Sequence, residues 1–205
     1  MSSYKDYGFQ NSLPAHTHSY LLNPIVSLIK EKSAVLDLGC GNGWLTNELL
    51  NRGYNSFGTD ASPQGIELGN DVNPQRFFLQ DLSSDGLPIE LQNETFKTIV
   101  STEVIEHLYD PRSFVTFAKR ILLSNGGGEI ILSTPYHGYF KNLIIALSGK
   151  WDSHADPLWD GGHIKLWSKK TLSKLLEEQG FKVTHFVGCG RVAYLWKSMV
   201  IRATI

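Results

Sequence analysis

Two glutamates and a histidine close an apolar run in the stretch STEVIEHLYD, residues 101–110. Glu103, Glu106 and His107 stand at i, i+3 and i+4, the spacing that sets side chains on one face of a helix. Two carboxylates and an imidazole placed in this way can hold a divalent cation. Alternatively, the imidazole can take a proton from an attacking hydroxyl or amine. The same residues could also be a solvated turn with no ligand, and the sequence leaves all three readings open.

A second set of candidates lies upstream in VLDLGCGNGW, residues 35–44. Gly39 and Gly41 follow directly on an apolar run, where glycine lets backbone approach a ligand closely. A dinucleotide fingerprint would place a third glycine where Trp44 stands, and Asp37 would repel a pyrophosphate. A nicotinamide dehydrogenase is therefore disfavoured, and a cationic ligand suits Asp37 better. Asp60 and Asp81 each end a later apolar run. A carboxylate at these places can accept from vicinal ribose hydroxyls and from an exocyclic amine, respectively.

The elements that must carry these residues alternate between strand and helix. AVLDL (34–38), YNSFGTD (54–60), RFFLQDL (76–82), FKTIVST (96–102) and GEIILSTP (128–135) read as strands. WLTNELLNRG, SPQGIELGN, PRSFVTFAKRILL and SKKTLSKLLEEQG read as helices, with Ser62 and Ser168 as caps and Pro63 and Pro111 at first helical positions. FKVTHFVG and LWKSMVIRATI have no helix between them and need an antiparallel hairpin. The expected fold is one α/β domain over 1–205: a Rossmann-like, seven-stranded, mostly parallel sheet with an antiparallel last strand and helices on both faces. Ligands in such a sheet bind outside the carboxyl ends of the strands, where Asp60, Asp81 and Glu103 fall.

On VLDLGCGNG, GTDAS, LQDL, STEVIEHL and LLEEQGFKV, the chain resembles the class I S-adenosylmethionine-dependent methyltransferases from Ala34 to Ile205. The resemblance implies a seven-stranded sheet and S-adenosylmethionine as cofactor. It implies that Gly39, Cys40 and Gly41 lie under the methionine part, with Asp37 beside them. Asp60 and Ala61 would hold the ribose, Asp81 and Leu82 would read the adenine, and Thr102 would flank the sulfonium. The E-V-I-E-H stretch is similar to that of ubiquinone-pathway O-methyltransferases and of small-RNA 3′-terminal 2′-O-methyltransferases. By that likeness the metal candidates are Glu103, Glu106, His107 and His163, the last from DGGHIKLWS. The metal-free alternative makes His107 or His163 the general base. One departure is that the ubiquinone-pathway enzymes carry an N-terminal arginine at the cofactor, where this chain has PAHTHSYLLNP.

Residues 136–167 form the expected acceptor lid inserted after the fifth strand, rich in Tyr, Trp and His. A small apolar or aromatic acceptor bearing a hydroxyl or amine fits such a lining. His154 belongs with His163 as a candidate, because their loop is too polar for core alone. Residues 1–33 are expected to cover the cofactor, with His16 and His18 closing the pocket. FKNLIIALSGKW could rest on a membrane surface, with Lys141, Lys150 and Trp151 as interfacial residues.

Composition narrows the classes further. The chain has 205 residues, is 41% hydrophobic and 19% charged, and carries a net charge of −1. It lacks the clustered basic surface of a non-specific nucleic-acid binder, so nucleic acid is not the expected partner. Two cysteines make no disulfide framework, and the opening residues have no apolar signal core, which points to a reducing cytoplasm. The alternatives carried forward are a metal-dependent RNA 2′-O-methyltransferase and a non-catalytic cofactor binder. The second is disfavoured because the glycine loop and the acids are both intact.

Overall fold

The structure, a computed structural model, describes residues 8–31, 33–82, 86–159 and 161–205. The first seven residues and Lys32 of the expected covering segment, and Asp160 of the expected lid, lie outside the described residues.

Seven strands form one sheet in the order β3-β2-β1-β4-β5-β7-β6. They are β1 Ala34–Leu38, β2 Ser56–Asp60, β3 Phe77–Leu79, β4 Phe96–Thr102, β5 Glu129–Pro135, β6 Lys182–Cys189 and β7 Ser198–Thr204. Strands β1 to β5 pair in parallel, and β7 runs antiparallel between β5 and β6. The helices are α1 His18–Leu28, α2 Trp44–Asn51, α3 Pro63–Val72, α4 Pro111–Ser124, α5 Tyr139–Leu147, α6 Trp151–Ala155 and α7 Lys169–Glu178.

Alternation along the strands splits the core into two layers. Leu36, Leu38, Ile99, Ile130, Leu132 and Ile201 face α4 and α7, whose Phe114, Ala118, Leu122, Leu172 and Leu176 are buried against them. Val35, Val100, Ile131 and Val200 face the other way, onto Leu21 and Ile25 of α1 and Leu45 and Leu49 of α2. The hydrophobic pattern therefore places helices on both faces.

The caps behave as their residue types require. Ser62 Oγ accepts from Gly65 N, and Asp110 Oδ1 accepts from Arg112 N and Ser113 N ahead of Pro111. Ser168 and Thr171 form a reciprocal capping box. Glu129 ties four elements together at the far end of the sheet. It takes Lys30 N at 2.8 Å, Thr98 Oγ1 at 3.0 Å and Arg202 Nε at 2.6 Å.

Two elements depart from the sequence reading. The N-terminal segment contains α1, which packs Leu21, Ile25 and Leu28 into the core despite Pro24 inside it. Strand β3 is shorter than RFFLQDL, so Asp81 lies two residues past its end.

Candidate active site

The chain runs outward from β1 to β3 and then returns to β4 beside β1. The sheet thus has its switch point between β1 and β4, where sheets of this kind leave a crevice at the carboxyl ends. The glycine loop after β1 and the E-V-I-E-H turn after β4 flank that crevice.

The glycine loop is shaped by backbone that only glycine adopts easily. Gly39, Gly41 and Gly43 all have positive φ, at 79°, 56° and 78°. A Cβ on Gly39 would sit 2.5 Å from Val104 Cγ2, and one on Gly43 would sit 2.6 Å from Phe77 Cε1 and 2.9 Å from Gly69 Cα. Gly43 is the third glycine that the sequence reading passed over. The pattern is glycine at every second residue, one position before Trp44.

Asp60, the last residue of β2, fastens this loop. Its Oδ2 accepts from Gly41 N and its Oδ1 from Ser62 N, both at 2.8 Å. Asp37 is fully buried on β1. Its Oδ2 accepts from Thr46 Oγ1 at 2.8 Å, and its Oδ1 has no hydrogen-bond partner. Burial, opposed by the Thr46 bond, raises its pKa to about 7. Cys40 turns its thiol into the sheet, where a Cβ on Gly58 would meet Sγ at 2.8 Å, so only its backbone belongs to the loop face. Ala61, Asp81, Leu82 and Thr102 are half-buried along the same edge, and Leu82 packs against the α4-side core.

The N-terminal segment lies on this loop. Asn42 Nδ2 donates to the carbonyls of Asn11 and Leu13 at 2.9 Å, and Phe9 packs beside Gly41 and Gly65. His18 stacks on Trp44 with ring centroids 4.5 Å apart, and burial lowers its pKa to about 4. His16 is exposed, its Nε2 2.6 Å from Lys197 Nζ.

Beyond β4 the chain makes a turn, not the helix that the i, i+3, i+4 spacing suggested. Glu103 has φ 54°, a left-handed conformation uncommon for a residue with a side chain. Its carboxylate is held by two serine hydroxyls. Glu103 Oε1 accepts from Ser133 Oγ at 2.8 Å and Oε2 from Ser198 Oγ at 3.2 Å, and Tyr20 OH lies 3.4 Å from Ser198 Oγ. Burial, opposed by those two hydroxyls, raises its pKa to about 7.

Glu106, His107 and His163 do converge. One ligand atom from each lies within 4.8 Å of the others. Glu106 is 0% exposed. Its Oε2 accepts from Thr134 Oγ1 at 3.0 Å, and its Oε1, 3.9 Å from His107 Nε2, has no hydrogen-bond partner. Burial first, and then the charge of Glu103, drives its pKa well up.

The tautomer of His107 is fixed by what surrounds it. Its Nδ1 faces the carbonyls of Gly161 and Gly162 at 2.8 and 3.1 Å, and carbonyls only accept. Nδ1 therefore carries the hydrogen, and the lone pair sits on Nε2, on the side of Glu106. His163 is brought in by the lid, whose Ile164 N and Lys165 N donate to Glu106 O at 3.0 and 2.9 Å. Its ring lies 5.0 Å from that of His107 and 5.3 Å from that of Trp159. Burial, followed by neighbouring bases, lowers its pKa to about 4, and burial also lowers that of His107. Both rings are neutral near pH 7.

On the outer face of the lid, Tyr139, Phe140, Ile144, Leu147 and Trp151 are exposed, whereas Lys141 is buried rather than interfacial. No helix among the described residues is long and apolar enough to cross a membrane.

The methyltransferase domain family matches residues 10–186 of the chain. An uncharacterized methyltransferase of Bacillus mycoides (strain KBAB4) is 30% identical over 162 residues, 75% of this chain and 74% of that protein. Magnesium protoporphyrin IX methyltransferase from Synechocystis PCC 6803, solved with bound SAH, superposes with a TM-score of 0.63 at 17% identity. That alignment covers 90% of this chain and 80% of the other. A chain of the complex between the Haloferax volcanii Trm112 methyltransferase activator and a methyltransferase gives a TM-score of 0.64 at 16% identity, over 86% of this chain and 83% of the other. At those identities the likeness to the two solved structures is one of fold.

Proposed function

This chain belongs to the methyltransferase domain family, and from that premise we propose that it moves a methyl group from S-adenosylmethionine to the oxygen or nitrogen of a small apolar or aromatic acceptor. The observation that carries this reading is the orphaned, fully buried Asp37 Oδ1 beneath a glycine loop that Asp60 holds open. A cationic ligand is what a buried carboxylate with a raised pKa lacks. The backbone of Gly39, Cys40 and Gly41, with Asp37, would hold the methionine part. Asp60 and Ala61 would hold the ribose, Asp81 and Leu82 the adenine, and Thr102 would stand at the methyl side. Bound there, S-adenosylmethionine supplies a methyl carbon made electrophilic by its sulfonium charge.

The work left to the chain is to exclude water, align the acceptor and remove its proton. His107 is suited to the last task, because Nδ1–H is tied to two carbonyls, which leaves the lone pair on Nε2, 3.9 Å from Glu106 Oε1. His163 is the second candidate, but a base with a pKa of about 4 is weak at pH 7. One observation supports a metal at the same place. The Glu106, His107 and His163 atoms converge, and Glu106 Oε1 is buried with no partner. These three would be the ligands, and a divalent ion there would acidify an acceptor hydroxyl. Glu103, also a ligand candidate by sequence, is turned onto Ser133 and Ser198 and is not part of that set.

Calorimetry with S-adenosylmethionine, S-adenosylhomocysteine and NAD tests the cofactor. Asp60→Ala should cost on the order of 1–3 kcal/mol of nucleoside affinity, since its carboxylate is a charged acceptor. Unchanged binding, or preference for NAD, would end this reading. A radiolabelled transfer screen over phenols, amines, lipid vesicles and oligoribonucleotides identifies the acceptor. The lipid arm is motivated by the exposed apolar face of α5. Transfer to RNA alone would replace the small-molecule acceptor. Abolition by EDTA would favour the metal.

A further inference from the structure

A buried cation lies at the acceptor side of the crevice with very little to neutralise it. Lys141, in the first turn of α5, is 7% exposed. Its Nζ donates to Lys197 O at 3.2 Å, its one side-chain hydrogen bond among the described residues, and it forms no ion pair there. An ammonium has three hydrogens to donate, and one long bond leaves most of that capacity unspent. Removing such a group from water is costly unless a partner of opposite charge replaces the water.

The neighbours of Lys141 are mostly bases. His137, 6% exposed, has its ring 5.3 Å from that of His154. His163 and the exposed Arg191 are also within electrostatic reach. Among the described residues, the one carboxylate in range is Glu103, and both its oxygens already accept from serine hydroxyls. Two imidazoles, an ammonium and a guanidinium within electrostatic reach of one another complement an oxyanion. An aromatic or apolar acceptor with no charge would leave the ammonium as poorly matched as it is now.

We propose that the methyl acceptor is an organic anion, and that Lys141, with His137 and His154 beside it and Arg191 at the rim, binds its carboxylate or phosphate while the reacting hydroxyl or amine faces His107 and His163. This rests on the methyl transfer proposed above and narrows its acceptor. The acidic group fixes one end of the molecule, the lid aromatics take its apolar body, and the other end is left at the methyl side.

The test uses the full chain saturated with S-adenosylhomocysteine, titrated with benzoate, phenyl phosphate and the neutral benzamide. Binding is followed by calorimetry and by the imidazole proton resonances. Benzoate or phenyl phosphate should bind at least tenfold more tightly than benzamide and move the His137 and His154 signals. The tighter of the two identifies the acid. Lys141→Met, close in length and uncharged, should lose at least tenfold of that affinity, and Lys141→Arg should recover most of it. S-adenosylhomocysteine affinity should stay within twofold in both variants.

If Lys141→Met does not fold, His154→Gln, at a half-buried site, should lose about threefold in anion affinity with an unchanged melting temperature. Equal binding of benzamide, binding of neither anion, or full anion affinity in Lys141→Met or His154→Gln overturns the proposal. So does binding of an oligoribonucleotide in place of the small anions. A tenfold loss of S-adenosylhomocysteine affinity in Lys141→Met would assign the lysine to the cofactor's own carboxylate, and that also overturns it. If the wild-type protein does not bind S-adenosylhomocysteine at all, the methyl-transfer reading falls instead. The anion arms then stand as a separate result on the protein alone.

Discussion

The two sides of the crevice are made of different materials. On the β1–β3 side the surface is mostly main chain. It consists of three glycines at positive φ, an aspartate that accepts from two backbone N–H groups, and a buried aspartate below. On the β4–β7 side it is side chain: Glu103, Glu106, Lys141 and four imidazoles, brought in by α5, the lid and two loops. Burial pushes each of the carboxylates up and each of the imidazoles down, toward the uncharged form. The first surface is set by which residues the backbone tolerates. The second is set by how far each group is removed from water, so it responds to whatever charge enters. A cofactor of fixed shape suits the first, and a substrate chosen by chemistry suits the second.

If that division is right, substitutions on the two sides should fail in different observables. The largest effect is expected on the side-chain surface. His107→Ala should lower turnover by about 10²–10⁴-fold while S-adenosylhomocysteine affinity stays within twofold, measured by single-turnover transfer and calorimetry. His163→Ala should lower turnover by less, since its pKa of about 4 makes it the weaker base, again with S-adenosylhomocysteine affinity kept. If both variants keep full turnover with the true acceptor, the turn after β4 has no chemical role. The opposite pattern is expected for Gly43→Val, which puts a branched side chain at φ 78° against Phe77 and Gly69. Strain and overpacking together should cost about 2–5 kcal/mol of stability, read by urea unfolding, with nucleoside binding lost in proportion to the folded fraction.

The smallest effect sharpens the comparison by pH. The pKa of Asp37 is raised on folding, to about 7 from an ordinary 3.8. The folded chain therefore keeps a proton that the unfolded chain has lost, and stability falls as pH rises between those values. Asp37→Asn should remove up to about 1.4 kcal/mol per pH unit from that slope, seen as a flatter melting profile from pH 4 to 7. Glu103 and Glu106 are shifted in the same direction and leave a residual slope. An Asp37→Asn profile that falls as steeply as the wild type's would mean that Asp37 is ionised in the folded protein.

The main-chain side was the more legible from sequence. Strand β1 and the cap at Ser62 stand where composition put them, because short apolar runs and cap residues act locally. Gly43 was hidden by testing the loop against a dinucleotide template, in which Trp44 occupied the third glycine position. Helix α1 was missed because Thr17, His18 and Pro24 are poor helix formers. Its stability comes from Leu21, Ile25 and Leu28 packing on the sheet, which no local window reveals. The side-chain surface was legible as a list of candidates but not as an arrangement. The spacing of Glu103, Glu106 and His107 suggested one helical face, yet past the left-handed Glu103 the chain turns, and Glu103 bonds Ser133 and Ser198 instead. Lys141 looked interfacial in an apolar run, but it is buried and bonds Lys197 O, some 56 positions away in the chain.

The position of β7 also dictates an order of assembly. Strand β5 finds its neighbour β4 after one helix, but its other edge waits for a strand some 60 residues further on, and β6 has no partner until that strand arrives. Closing so long a loop is slow, and until it closes, β5 offers unpaired backbone along a run of Ile130, Ile131 and Leu132. Refolding should therefore pass through a species with β1 to β5 formed and one sticky edge. Its yield should fall with protein concentration more steeply than the stability of the finished sheet would suggest.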